Sequence, residues 1–240
     1  GAGKTTTLYA TLLEINSTGK NVTTVEDPVE YVFPGINQVQ TNAKAGLTFA
    51  TGLKALLRQD PDTILVGEIR DVDTARIAIQ SALTGHFVLS SLHGTDAVAA
   101  LHRLLDMGIE AFLVASAIVG VVSQRLLRKT CENCKEPYEP GAEEMAVFRQ
   151  HSGGSDKTVF YRGKGCSYCS GTGYRDRIGV YELLRITPEI RRLIVGWATT
   201  EELRRLAVAQ GMRTMLREAM QMVDDDVTTI PEVVRTLFAH

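Results

Sequence analysis

The chain has 240 residues, 44% of them apolar and 22% charged, an ordinary globular balance that allows one large domain or one domain with a small module. Its 26 basic and 28 acidic residues leave a net charge of −2, which excludes a global cationic field of the kind non-specific nucleic-acid binding relies on. The longest run free of charge, Ala111 to Gln124, is shorter than the roughly 20 residues a membrane span needs, and no secretory leader pattern opens the chain. The expectation is a soluble, cytoplasmic protein.

Residues 5–15 read as a helix, closed by the turn-rich Asn16-Ser17-Thr18-Gly19, and residues 21–25 as a short β-branched strand. Asp27-Pro28 and Phe33-Pro34-Gly35 mark turns. Leu53 to Arg58 looks helical, and Thr63-Ile64-Leu65-Val66 reads as a strand buried on both faces. A helix follows over 71–83, with Val72, Ala75, Ile79 and Ala82 on one face, then an apolar strand over 87–92. Thr95 or Asp96 caps a helix through Met107, and a long buried helix is expected from about Glu110 to Leu127. From Thr130 to Arg177 the chain is rich in Gly, Cys, Pro, Ser and Tyr, with an exposed loop at Gly153-Gly154-Ser155. Beyond it, Thr187-Pro188-Glu189, the capping box Thr199-Thr200-Glu201-Glu202 and Thr229-Ile230-Pro231-Glu232 each start a helix, and Gly211 fits a helix stop.

Alternating strands and helices imply a mostly parallel α/β sheet, whose ligands sit beyond the carboxyl ends of the strands. Three segments are expected: a parallel-sheet core over 1–128, a cysteine-bearing module over 129–185, and a helical part over 186–240.

Five groups of residues carry chemistry. Gly1-Ala2-Gly3-Lys4-Thr5-Thr6 supplies the end of a phosphate-binding loop, G-x-x-x-x-G-K-[ST], at the start of a helix. In such a loop Lys4 reaches the β- and γ-phosphates of ATP and Thr5 ligates Mg²⁺, with Gly1, Gly3 and Thr6 completing the cradle. The loop's first glycine would fall before residue 1, so the expectation is that this chain by itself binds nucleotide weakly or not at all. Glu26 and Asp27 follow the first strand; carboxylates there hold Mg²⁺ through water or orient an attacking water, and the same residues also fit a polar turn. Glu68 ends the strand Ile64-Leu65-Val66-Gly67, the placement of a group that polarises water for in-line attack; Gly67 stands where many phosphate-loop enzymes carry Asp. His93 follows the next strand and is read either as a γ-phosphate contact or as structural; His86, at the strand's other end, is read as structural. Cys131-x-x-Cys134 and Cys166-x-x-Cys169 form two pairs, each one edge of a Zn²⁺ tetrahedron, although the 31 residues between them exceed the usual spacing.

The order of these motifs resembles the secretion ATPase superfamily, which drives type II secretion and the assembly or retraction of type IV pili. The strings that carry it are Gly-Lys-Thr-Thr-Thr-Leu-Tyr-Ala, Val-Glu-Asp-Pro-Val-Glu-Tyr, Ile-Leu-Val-Gly-Glu-Ile-Arg-Asp and Thr-Gly-His-Phe-Val-Leu-Ser-Ser-Leu-His-Gly-Thr-Asp-Ala. The likeness continues through Gln124-Arg125-Leu126, both cysteine pairs and Gly179-Val180-Tyr181-Glu182-Leu183-Leu184, and so covers nearly the whole chain. It implies a RecA-like fold, a homo-hexamer and ATP hydrolysis coupled to inner-membrane secretion or pilus machinery. It further implies Walker A roles for Lys4 and Thr5, an Asp-box pair in Glu26 and Asp27, a water-activating Glu68, and a nucleotide-proximal His93. The cysteine pairs resemble the zinc element of the secretion and pilus-extension branches, and Gly67 matches the family. The resemblance also implies an N-terminal domain that usually precedes the motor and supplies arginines to a neighbouring subunit's nucleotide, and the expectation is that this chain lacks it. Two other readings stay open: a zinc-stabilised P-loop ATPase acting on nucleic acid, and a non-catalytic docking module.

Overall fold

A computed structural model describes residues 1–238. In chain order, helix α1 (Lys4–Ile15) is followed by strands β1 (Val22–Glu26) and β2 (Ile36–Gln40), helix α2 (Phe49–Leu56), β3 (Thr63–Val66), α3 (Val72–Leu83), β4 (Phe87–Ser90), α4 (Ala97–Asp106) and α5 (Ala111–Ala117). Then come β5 (Gly120–Thr130), β6 (Lys135–Tyr138), α6 (Ala142–His151), β7 (Phe160–Gly163) and β8 (Tyr174–Arg185). Four helices close the chain: α7 (Pro188–Val195), α8 (Thr200–Ala209), α9 (Met215–Asp224) and α10 (Ile230–Leu237).

The chain divides into two compact units. One comprises residues 4–121 and 184–210. Its sheet has the order β2-β1-β3-β4, and every pairing is parallel. All of β1 and β3 is buried, as strands with neighbours on both sides and helices on the faces require. Thr23 and Thr24 are buried there because each hydroxyl finds an acceptor, the Thr63 carbonyl and the Glu26 carboxylate. Tyr9 and Leu12 of α1 pack with Val22, Ile36 and Leu65 in one core cluster. Helices α7 and α8 belong to this unit, α7 packing on α5 and α8 on α4.

The second unit comprises residues 1–3, 122–183 and 211–238 of those described. Strand β5 pairs with β8, and β6 with β7 antiparallel. Phe148 and Phe160 meet edge to face at 5.0 Å within a core that also takes Leu127, Val180, Met220 and Ile230. Buried Glu232 of α10 accepts hydrogen bonds from the Arg128 side chain and amide and from Arg235.

The long helix expected over 110–127 is not formed. Helix α5 stops at Ala117, Ile118 is already extended, and β5 begins at Gly120. The run Ile118-Val119-Gly120-Val121-Val122 is β-branched apart from its glycine, so it favours a strand once β8 offers a partner. Strand β2 was not expected either; its sequence, Ile-Asn-Gln-Val-Gln, is half polar because it lies at the edge of the sheet.

Candidate functional site

In a parallel sheet every carboxyl end points the same way, so residues 26, 67–68 and 91–93 meet at one edge. There a cleft of about 310 Å³ is lined by Lys4, Thr5 and Tyr9 of α1, by Glu26, Asp27 and Glu30, by Gly67, Glu68 and Arg70, and by Ser91 and His93. Lys4, Thr5, Glu26, Asp27, Glu68 and His93 are therefore gathered around one cavity. Thr6 is exposed and does not line it, and Gly1 and Gly3 group with the other unit. Gly3 has φ +82°, a left-handed conformation suited to glycine, immediately before α1.

Glu68 is the centre of the charge pattern. Its carboxylate is largely buried, hydrogen-bonded to Arg70, and 3.5 Å from Nε2 of the exposed His93. Arg70 also lies 3.6 Å from Asp27. Burial by itself would raise the Glu68 carboxyl, but Arg70, with His93 and Lys4 behind it, holds it below the usual carboxylate range. Glu68 is thus an anion held by the Arg70 guanidinium, with Lys4 and the His93 ring nearby.

Glu26 is bound differently. It is 3% exposed, and Oε1 accepts from the Thr24 hydroxyl at 2.6 Å and from Gln38 Nε2 at 3.1 Å. Oε2 accepts from the Tyr9 hydroxyl. Burial and this bond to a carboxylate raise the Tyr9 phenol above its ordinary value.

Gly67 has a steric reason. Its N–H donates to the Val25 carbonyl at 2.8 Å, and a Cβ would sit 3.3 Å from that oxygen and 3.4 Å from Cα of Glu26. A side chain there would push apart the two strand ends that carry Glu26 and Glu68. Ser90 and Ser91 pin the next strand end by donating to the Val66 and Gly67 carbonyls at 2.7 and 2.8 Å. His86, at the other end of β4, is held by the Ser81 carbonyl and the Thr84 hydroxyl.

Tyr9 and Arg70 are the two groups that motif reading misses. Tyr9 lies one helical turn beyond Thr5, on the face that Thr5 presents, and this spacing is the signal that points to it. Arg70 follows Glu68 by two residues, and only the fold reveals its turn back onto it.

The second cluster is Cys131, Cys134, Cys166 and Cys169, whose sulfurs all lie within 4.8 Å of one another. Three of the spacings are 3.7, 3.9 and 4.0 Å. Four thiolates about 2.3 Å from a zinc ion stand roughly 3.8 Å apart, so the donor set fits tetrahedral Zn²⁺. Backbone N–H groups of Cys166 and Gly173 point at the Cys169 sulfur at 3.2 and 3.3 Å, and Asn133 donates to Cys166. Burial pushes the Cys134 thiol up to about 12. Cys169 is also buried, yet those N–H donors bring it down to about 6. The two cysteine turns are joined by the Cys131 amide donating to the Gly173 carbonyl and Lys164 donating to Cys134. A Cβ on Gly163 would fall only 2.1 Å from the Gly173 oxygen, so this approach demands glycine.

Fold and clefts together define an α/β protein with a parallel sheet, a charged cleft at its strand ends and a four-cysteine cluster. The family described as "Type II/IV secretion system protein" matches residues 1–235, and the chain belongs to that family. It is 46% identical over 235 residues to the type II secretion system protein HxcR of Pseudomonas aeruginosa, covering 98% of this chain and 46% of that protein. It is 45% identical over 235 residues to the type II secretion system ATPase E of Vibrio cholerae, with the same coverages. To the type IV pilus assembly ATPase PilB of Thermus thermophilus it is 45% identical over 234 residues, covering 98% of this chain and 26% of that protein. The chain thus spans about half the length, or less, of the curated relatives it matches. Among solved structures it is similar to the pilus retraction motor PilT with bound ADP, with TM-score 0.72, 28% identity and coverage of 98% and 58%. The Legionella pneumophila ATPase DotB, 22% identical with TM-score 0.69 over 97% of this chain and 56% of that one, shares the fold.

Proposed function

We propose that this chain is the RecA-like motor part of an ATPase that powers type II protein secretion or type IV pilus assembly. The observation that carries the reading is the convergence of Lys4, Thr5, Glu68 and His93 on one cleft at the sheet's carboxyl edge. Triphosphate lies against the start of α1, where the helix N-terminus and Lys4 receive its oxygens. The Thr5 hydroxyl would ligate Mg²⁺, which when bound would neutralise phosphate charge. Glu68, kept ionised by its cationic neighbours, orients the attacking water and accepts its proton. His93 faces the terminal phosphate, Asp27 belongs to the Mg²⁺ surroundings, and Glu26 contributes buried charge beneath the site. Gly1, Gly3 and Thr6 belong to the phosphate loop.

The four cysteines hold a structural Zn²⁺, closed by protein ligands and therefore without a catalytic position. The names of the relatives support work within a type II secretion or type IV pilus system. Assembly as a homo-hexamer on the cytoplasmic side of the inner membrane, joined to a secretion or pilus platform, belongs to the same proposal, and among the described residues no helix is long and apolar enough to cross a membrane. Glu68→Gln in the full-length protein should keep ATP binding and lower turnover about a hundredfold or more, read as phosphate release beside nucleotide binding. Turnover at the wild-type rate would refute the assignment.

A further inference from the structure

Tyr9 stands between the first strand end and the loop that follows it. It is 5% exposed, and its ring meets Phe33 edge-on at 5.0 Å and Tyr31 at 6.2 Å. Its hydroxyl makes two bonds of opposite sense. It donates to Oε2 of Glu26 and accepts from the Glu30 N–H at 3.1 Å. Glu26 is itself fixed by Thr24 and Gln38. Gln38 also grips the loop at two backbone positions, donating to the Tyr31 carbonyl at 2.9 Å and accepting from the Phe33 N–H at 2.8 Å. The loop is thereby tied to β2 through Gln38 and through Gln40, whose Oε1 accepts from the Val29 N–H at 3.2 Å, while the Tyr9 phenol ties the Glu30 backbone to α1.

What this tether holds in place is Glu30, an exposed carboxylate whose Oε1 accepts the Thr5 hydroxyl at 3.3 Å. A threonine hydroxyl has one proton and two lone pairs. With the proton directed at Glu30, only lone pairs remain for the cleft, which is what a hard cation requires of an oxygen ligand. Without that acceptor the hydroxyl is free to turn its proton toward the cation.

We infer that Tyr9 is a positioning residue for the metal–nucleotide complex: its hydroxyl holds the backbone of Glu30 so that the Glu30 carboxylate takes the proton of Thr5 and sets the Thr5 oxygen toward Mg²⁺. The inference rests on the proposed nucleotide site. Replacing Tyr9 by Phe keeps the ring packing on Phe33 but leaves a buried carboxylate oxygen and an amide without their partner, so the loop relaxes.

The test is ADP affinity of the full-length protein, measured by calorimetry with and without Mg²⁺. Wild type should bind ADP and gain affinity from Mg²⁺. Tyr9→Phe should bind ADP alone as wild type does and lose about tenfold of the Mg²⁺-dependent gain. Glu30→Gln should lose a similar share, and the double variant should lose no more than either single one. Equal weakening with and without Mg²⁺ in Tyr9→Phe would mean a merely structural role and would overturn the inference, as would an undiminished gain. Should Tyr9→Phe not fold, an undiminished gain in Glu30→Gln overturns it. Wild type that binds ADP without any Mg²⁺ gain overturns the inference alone; wild type that binds no ADP removes the nucleotide site itself.

Discussion

Glu26 and Glu232 are both buried carboxylates, and their partners differ in kind. Glu26 is met by two hydroxyls and an amide, all neutral donors. Glu232, with a side chain 0% exposed, is met by the guanidinium groups of Arg128 and Arg235. Burial alone would raise the Glu232 carboxyl, but those two groups and the Arg128 amide hold it at about 2. A folded value below the unfolded one stabilises the fold above the unfolded range, near 4.3, and the contribution fades as pH falls through the folded value. Glu232→Gln should therefore cost up to about 3 kcal/mol at neutral pH. The gap from wild type should narrow steadily between about pH 5 and pH 2. Urea denaturation at several pH values measures both, and a gap that stays constant across this range would show that Glu232 is not the titrating group.

At the scale of elements, what the sequence makes legible is what local chemistry decides. Asp71, Asp96, Thr187, Thr199 and Thr229 each cap a helix through their own side chains, and each cap lies within four residues of its partner. Lys4, Glu26, Glu68 and His93 are legible because a parallel sheet sends every strand end to one edge. Strand β5 is not legible, since Ala111 to Val122 is equally apolar as helix or strand and only the pairing with β8 decides. Tyr9 and Arg70 escape for the same reason: their partners lie on other elements or across a turn that the fold alone closes. Asp96 shows how far a cap can extend. Oδ1 caps α4 through Ala99 at 2.8 Å, while Oδ2 takes Arg204 of α8 at 2.7 Å. The loop bearing His93 thus runs between two pins, Ser91 on the sheet and Asp96 on α8. Both partners of the ion pair are partly exposed, so Arg204→Ala should change stability by less than about 1 kcal/mol. It should nevertheless speed hydrogen exchange at the first amides of α4 and in residues 93–96, because the cap then rotates freely. Unchanged exchange there would show that the cap needs no support from α8.

For the whole molecule, chain order and spatial grouping part company. Helices α7 and α8 join the parallel-sheet unit, while α9 and α10 join the unit that carries the cysteines. Each unit has its own core, one around Tyr9, Leu12 and Leu65 and the other around Phe148, Phe160 and Met220. The cysteine cluster sits wholly within the second, one pair in the turn between β5 and β6 and the other in the turn between β7 and β8. Its backbone is shaped by three left-handed glycines, Gly165, Gly171 and Gly173, and by sulfur-directed N–H groups, features that a bound cation compensates and four crowded thiols do not. Elemental analysis should find close to one zinc per chain. A strong chelator should then remove it and lower the melting temperature, with the damage confined to one unit. Amides of β6, β7 and the first half of β8 should lose protection from hydrogen exchange, while those of β1 and β3 keep theirs. Loss spread evenly over both units would mean that the metal stabilises the fold as a whole, and no metal at all would remove zinc from the account of these four cysteines.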